Sequence, residues 1–178
     1  MATQKSEALV FRKLHAQDLE AYHAIRLASL KRHPENFGML YEEQVKEGTF
    51  KFDTVIAHSH PTDFLMGAFI EGTLTGICVF LQEKRQKTKH TGEISQLCVV
   101  DTQDGKGVGT ALLQTTIHAA FQHPELEQII LAVAAKNVAA QRQYQKLGFQ
   151  EFGKLKNYFQ CGRRYDDNVL MILTKLTL

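Results

Sequence analysis

This 178-residue chain has no paired cysteine pattern, no long apolar run and no excess of charge of either sign. Its three cysteines, Cys78, Cys98 and Cys161, show neither disulfide nor metal-ligand spacing. An odd count, with no signal peptide in the first residues, excludes a secreted disulfide framework and leads to the expectation of a reducing, cytoplasmic setting. The longest apolar run, residues 129–135, is far too short to span a bilayer, so no membrane partner is expected. A net charge of +2 lacks the strongly basic patch that nucleic-acid binding calls for. The densest positive run, KRQKTK at 84–89, lies between two predicted strands and reads as a solvated hairpin tip. Eight histidines are scattered without HExxH or another close ligand cluster, so no metal site is expected. Repeats, low-complexity tracts and linkers are also missing. What remains is 44% apolar and 22% charged, ordinary globular composition for one domain over 1–178.

Against these absences stands residues 97–113, LCVVDTQDGKGVGTALL. A short apolar strand gives way to polar turn residues, three alternating glycines follow, and an apolar-periodic helix begins at once. The first amides of a helix have no intrahelical partner and point beyond its end. The helix dipole adds about half a positive charge there, so the site suits an anion. Glycine permits positive φ and lets an anion approach without meeting a Cβ. The segment therefore predicts a phosphate-bearing ligand. A nucleotide-hydrolase loop, GxxxxGK[ST], does not fit, because Gly105-Lys106 is followed by Gly107. A dinucleotide fingerprint, GxGxxG, fails at Thr110.

The rest of the chain alternates strands and helices. Strands are expected over 7–14, 64–71, 73–82, 92–100, 128–134, 149–159 and 165–176. A tight Glu71-Gly72 turn joins the second and third, and a Cys161-Gly162 turn joins the last two. QIILAVA at 128–134 reads as a central strand buried on both faces. Helices are expected from 17 to Pro34 (with Leu19, Tyr22, Ile25, Leu27 and Leu30 as its apolar face), over 107–121, and from an Asn137 cap to Leu147. A weaker helical region over 41–58 breaks near Gly48. The fold class is α/β: a mixed, mostly antiparallel sheet of about seven strands with about four helices.

GxGxG after a mid-chain strand resembles the acyl-CoA loop of the GNAT superfamily of N-acetyltransferases, [Q/R]-x-x-G-x-G/A. Here the six positions read Asp104-Gly105-Lys106-Gly107-Val108-Gly109, with Asp104 where the family usually carries Gln or Arg. Residues 137–149, NVAAQRQYQKLGF, resemble its second motif, N-x-x-A-x-x-x-Y-x-x-x-G-F. Arg26-Leu-Ala-Ser-Leu, PENFG at 34–38 and Tyr41-Glu-Glu resemble its N-terminal helix and the loop after it. The resemblance implies acetyl-CoA as cosubstrate, with its pantetheine arm along Leu97, Cys98 and Val99. Its diphosphate would rest on the loop of Asp104, Gly105, Lys106, Gly107, Val108, Gly109 and Thr110, and Asn137, Ala140 and Tyr144 would border it from the second helix. Tyr144 is implied as the acid for the departing thiolate and Glu93 as the base, directly or through water. The Val99 amide is a candidate donor to the thioester carbonyl. Glu35, Glu42 and Glu43 could receive a cationic amine or could be ordinary surface charge.

The implied activity is direct acetyl transfer, in a ternary complex, to a primary amine on a small molecule or a protein. Its rival is a catalytically weak or inactive acyl-CoA-binding module, favoured by the Asp104 carboxylate beside a diphosphate. Exposed sheet edges are compatible with a homodimer.

Overall fold

The computed structural model describes residues 8–103 and 105–177. Among the described residues, seven strands form one sheet: β1 (Leu9–Lys13), β2 (Phe64–Ile70), β3 (Thr73–Gln82), β4 (Thr91–Val99), β5 (Gln128–Ala134), β6 (Gln150–Cys161) and β7 (Arg164–Thr174). Their order is β1-β2-β3-β4-β5-β7-β6. All neighbours run antiparallel except β4 and β5, which are parallel. Five α-helices accompany them: α1 (Leu19–Arg32), α2 (Tyr41–Glu47), α3 (Asp53–His58), α4 (Val108–Phe121) and α5 (Val138–Lys146). The mixed, mostly antiparallel α/β architecture expected from the sequence is present, with five helices where about four were expected. The difference arises at Gly48, whose φ of 66° puts a left-handed residue after α2 and ends it before α3 can continue.

The β2–β3 hairpin turns on Glu71 (φ 49°) and Gly72 (φ 80°), the two successive positive φ values that a two-residue turn matched to strand twist requires. Both strands are apolar and almost wholly buried, because helices cover both faces of the sheet. On one face α4 lays Val108, Leu112, Leu113 and Ile117 against Ala68, Cys78, Phe80 and Ile94. On the other, Tyr22 and Ile25 of α1 and Ile56 of α3 pack on Leu65, Ile77, Val79 and Cys98. Each fully buried aliphatic side chain contributes about 1.5–3 kcal/mol, so the two layers hold the sheet from both sides.

The molecule departs from the sequence expectation in two places that bear on the site. The buried stripe of α1 is Tyr22, Ile25, Arg26 and Leu30, so a charge occupies a position on the inner face while Leu27 is only half-buried. β5 covers the expected residues but is not buried throughout: Ala132 is exposed and Ile130 half-buried. For Ala132 the physical reason is that β4 leaves β5 before reaching it. Parallel pairing joins only Thr91, Gly92 and Glu93 to Gln128, Ile129 and Ile130, whereas β5 pairs with β7 along its whole length.

Candidate functional site

From Ile94 and Leu131 onward the two parallel strands walk apart, and the gap between them is a cavity of about 710 Å³. Residues 94–99 line it from β4 and residues 131–134 from β5. β4 is also bulged there. Its register against β3 slips between Ile77 and Val79, and Gln96 at the slip has a φ of 47°. A bulge leaves strand amides and carbonyls without ladder partners, so this edge can accept an amide-bearing ligand as an added strand.

The glycine loop closes the end of the cavity where α4 begins. Gly105 (φ 72°) and Gly107 (φ 80°) are both left-handed, and Gly107 is the N-cap of α4. A Cβ on either would meet nothing within 4 Å, so the backbone conformation, and not space, calls for glycine there. The first helical bond at this end is Ala111 N–H to Gly107 O, at 3.0 Å. The amides of 108–110 therefore precede the intrahelical ladder and are available to an anion. Gly105, Gly107, Gly109 and Thr110 all border the cavity.

α5 supplies the opposite side. Asn137 Oδ1 accepts from Ala140 N–H at 3.1 Å, capping the helix, while its Nδ2 donates to Asn36 Oδ1 at 3.0 Å. The second bond ties the 33–38 loop across the cavity mouth. Tyr144, two turns along, lines the cavity with its ring packed in the core at 5.9 Å from Phe149. Burial raises its phenol well above the ordinary value, so it keeps its proton. Burial also pushes the Cys78 thiol up to about 12 and raises that of Cys98, which lines the cavity; neither is a ready thiolate nucleophile. Among the described residues, no group of three or more His, Cys, Asp or Glu side chains is placed to hold a metal ion. Nor is any described helix long and apolar enough to cross a membrane.

Of the residues singled out in the sequence, Leu97, Cys98, Val99, Gly105, Gly107, Gly109, Thr110, Asn137, Ala140 and Tyr144 line this one cavity. Val108 turns its side chain into the core, leaving only its amide at the loop, and Lys106 is exposed outside the lining. Asp104 lies outside the described residues. Glu93 sits where β4 still pairs with β5, before the strands part, and is exposed and outside the cavity lining. Glu35, Glu42 and Glu43 are exposed and line no part of the cavity either; Glu35 pairs with His33 at 3.4 Å, and Glu43 accepts from Leu40 N–H at the start of α2.

Several lining residues had no assigned role in the sequence: Arg26, Ser29 and His33 at the C-terminal half of α1, Gln96 at the bulge, and Asn168 on β7. The signal for Arg26 was there, since it falls at the helical spacing of Tyr22, Ile25 and Leu30.

A model of the acetyltransferase (GNAT) family matches residues 22–149. An uncharacterised N-acetyltransferase of Methanocaldococcus jannaschii is 36% identical over 84 residues, 47% of this chain and 52% of that one. An N-alpha-acetyltransferase of Sulfurisphaera tokodaii is 34% identical over 71 residues, 40% of this chain and 42% of that one. The chain thus spans about half the length of these relatives. An acetyltransferase structure from Salmonella typhimurium, described with its cofactor acetyl-CoA, superposes with a TM-score of 0.73 at 18% identity, covering 94% of each chain.

Proposed function

The chain belongs to the acetyltransferase (GNAT) family, and from that premise we propose that it transfers an acetyl group from acetyl-CoA to a primary amine, directly, in a ternary complex. The observation that carries the proposal is that a left-handed glycine loop at a helix N-terminus and a buried, protonated tyrosine open onto the same cavity. The free amides at the loop and the bulged strand edge suit the diphosphate and the amide-rich arm of the coenzyme. When bound, acetyl-CoA supplies a thioester whose acetyl carbon forms a bond to the amine nitrogen as its bond to sulfur breaks.

The protein's part is proton management and positioning. A protonated alkylamine, with a pKa near 10, must lose its proton before it attacks. With Glu93 outside the cavity, water carries that proton away to solvent. The nitrogen sheds its second proton to solvent once it has attacked, while Tyr144 gives its phenolic proton to the departing sulfur and regains one from solvent, so the net products are an amide and a thiol. The Val99 amide donates to the carbonyl oxygen. A relative named N-alpha-acetyltransferase supports an α-amino group, on a protein or a small molecule, as the acceptor. A homodimer would pair through β6, the long strand at one edge of the sheet.

The test is calorimetric titration with acetyl-CoA and CoA, followed by thiol release against a panel of amines. Binding with turnover on at least one amine is the expected result. Binding without turnover on any would make the chain an acyl-CoA-binding module instead.

A further inference from the structure

Arg26 is only 5% exposed, and its Nε and Nη1 are shut off from water with no hydrogen-bond partner. Its neighbours are the Phe37 ring, whose centroid lies 4.6 Å from the guanidinium carbon, and the Cys98 thiol. Among the described residues no carboxylate pairs with it: Asp53 is taken by His23, Asp101 by Arg32 and Glu35 by His33. Arginine cannot shed its charge as lysine can, and a buried charge without a counter-ion is strongly unfavourable. An aliphatic residue would fill this stripe of α1 without that cost. The guanidinium borders the cavity, and so points to an anion that arrives from outside.

The coenzyme's diphosphate is poorly placed to be that anion. Leu97 and Val99 pack on the α4 side of β4, where the glycine loop lies, whereas Cys98 packs on the α1 side. Arg26, in contact with Cys98, is thus across the strand from the loop. A second orphan stands elsewhere on the cavity wall: Asn168, 6% exposed, leaves its Oδ1 unpartnered. A buried cation with two unpartnered nitrogens and a buried hydrogen-bond acceptor with no partner, on the wall of one cavity, suit in their chemistry the two ends of an amino acid, its carboxylate and its amine.

We infer that Arg26 reads a carboxylate on the acceptor, so that the acceptor is a small amine carrying an acid group close to the nitrogen, as a free amino acid does. This rests on the acetyltransferase reading, but its test does not need turnover. N-acetylated glycine, serine, phenylalanine and glutamate are titrated into the CoA-loaded protein beside their matching carboxamides. At least one acid should bind about tenfold or more tightly than its amide, the ratio expected for a charge-assisted pair. R26Q should bring the ratio to about one while CoA binding, measured in parallel, reports that the variant is folded. R26K, which keeps the charge but loses the fork, should retain part of the preference. Where R26Q fails to fold, R26K and the wild-type ratio decide.

Equal binding of every acid and its amide by the wild type overturns the inference. So does an acid preference that survives in R26Q, or a loss in R26Q that falls equally on acids and amides, as a packing role would give. An acetylated dipeptide amide beginning with aspartate separates the other source of the same chemistry: an Arg26-dependent preference confined to it would assign the carboxylate to a peptide and overturn the small acceptor. Failure of the acetyltransferase reading would appear separately, as no thiol release with any amine.

Discussion

Tyr144 combines a cavity-facing position with a phenol held above its ordinary pKa by burial. An acid of that kind is fully loaded throughout the neutral range, so an alkaline limb in the rate belongs to another group. Y144F is expected to lower kcat by on the order of 10²-fold, the range for loss of a general acid, while the affinity for acetyl-CoA stays nearly the same. Turnover unchanged at every pH would remove Tyr144 from the chemistry. A different residue governs acid stability. Asp18 receives Arg12 Nη1 and Nη2 at 2.7 and 2.9 Å and the His15 amide at 2.8 Å. The Arg12 hydrogen bonds hold its carboxyl below the usual carboxylate range, against the opposing effect of burial. Because the folded pKa is the lower one, this contribution is present at neutral pH and is lost as the pH falls from about 4 through the folded value. Arg12 is partly exposed, so D18N should cost only about 1–2 kcal/mol at pH 7. In urea unfolding the gap between variant and wild type should narrow steadily as the pH falls below about 4; a gap that does not change with pH would mean the carboxylate charge is not its source.

At the scale of elements, the strand–loop–helix unit that ends in α4 separates conformation from access. Gly107 has a left-handed backbone with open space around it, whereas at Gly109, inside the helix, a Cβ would rest 3.4 Å from Val99 Cγ2. G107A should therefore lose about 1–2 kcal/mol of stability from backbone strain alone. G109A should unfold no earlier than wild type, given alanine's better helix propensity, yet bind acetyl-CoA less tightly because its methyl stands at the cavity wall. Chemical unfolding and calorimetry on the pair read the two effects apart; equal losses of both kinds in both variants would refute the division. This unit was readable from one line of sequence because glycine spacing reports backbone directly. β5 was bounded correctly for a similar reason, its apolar run, but its exposure was not: Ala132 faces a gap made by β4, and no local pattern in 128–134 records where a neighbour goes. Arg26 escaped because apolar periodicity counts only apolar residues. The 41–58 region was weak in sequence because Gly48 cuts it into two short helices, each held by packing rather than propensity.

Taken whole, the molecule is a sheet with a wedge-shaped gap in its middle, and whatever fills that gap touches β4, α4, β5 and α5 together. Ligand binding should then stabilise the entire fold. At acetyl-CoA concentrations a hundred times its dissociation constant, the gain is about 2.7 kcal/mol, or a rise in Tm of roughly 5–10 °C for a chain of this size. Differential scanning fluorimetry with and without the ligand measures it, and an unmoved Tm at saturating ligand would mean that the loop does not grip the coenzyme. The three-rung seam between β4 and β5 has an architectural consequence as well. Everything N-terminal to it pairs in sequence from β1 to β4 with α4 packed on top, and everything C-terminal to it pairs among β5, β6 and β7. Pro124 and Glu125, both exposed, lie in the connection between these two blocks. A polypeptide cut there would yield fragments that each keep an unbroken ladder, so the chain is built like a two-part reporter whose halves a small molecule could bring back together.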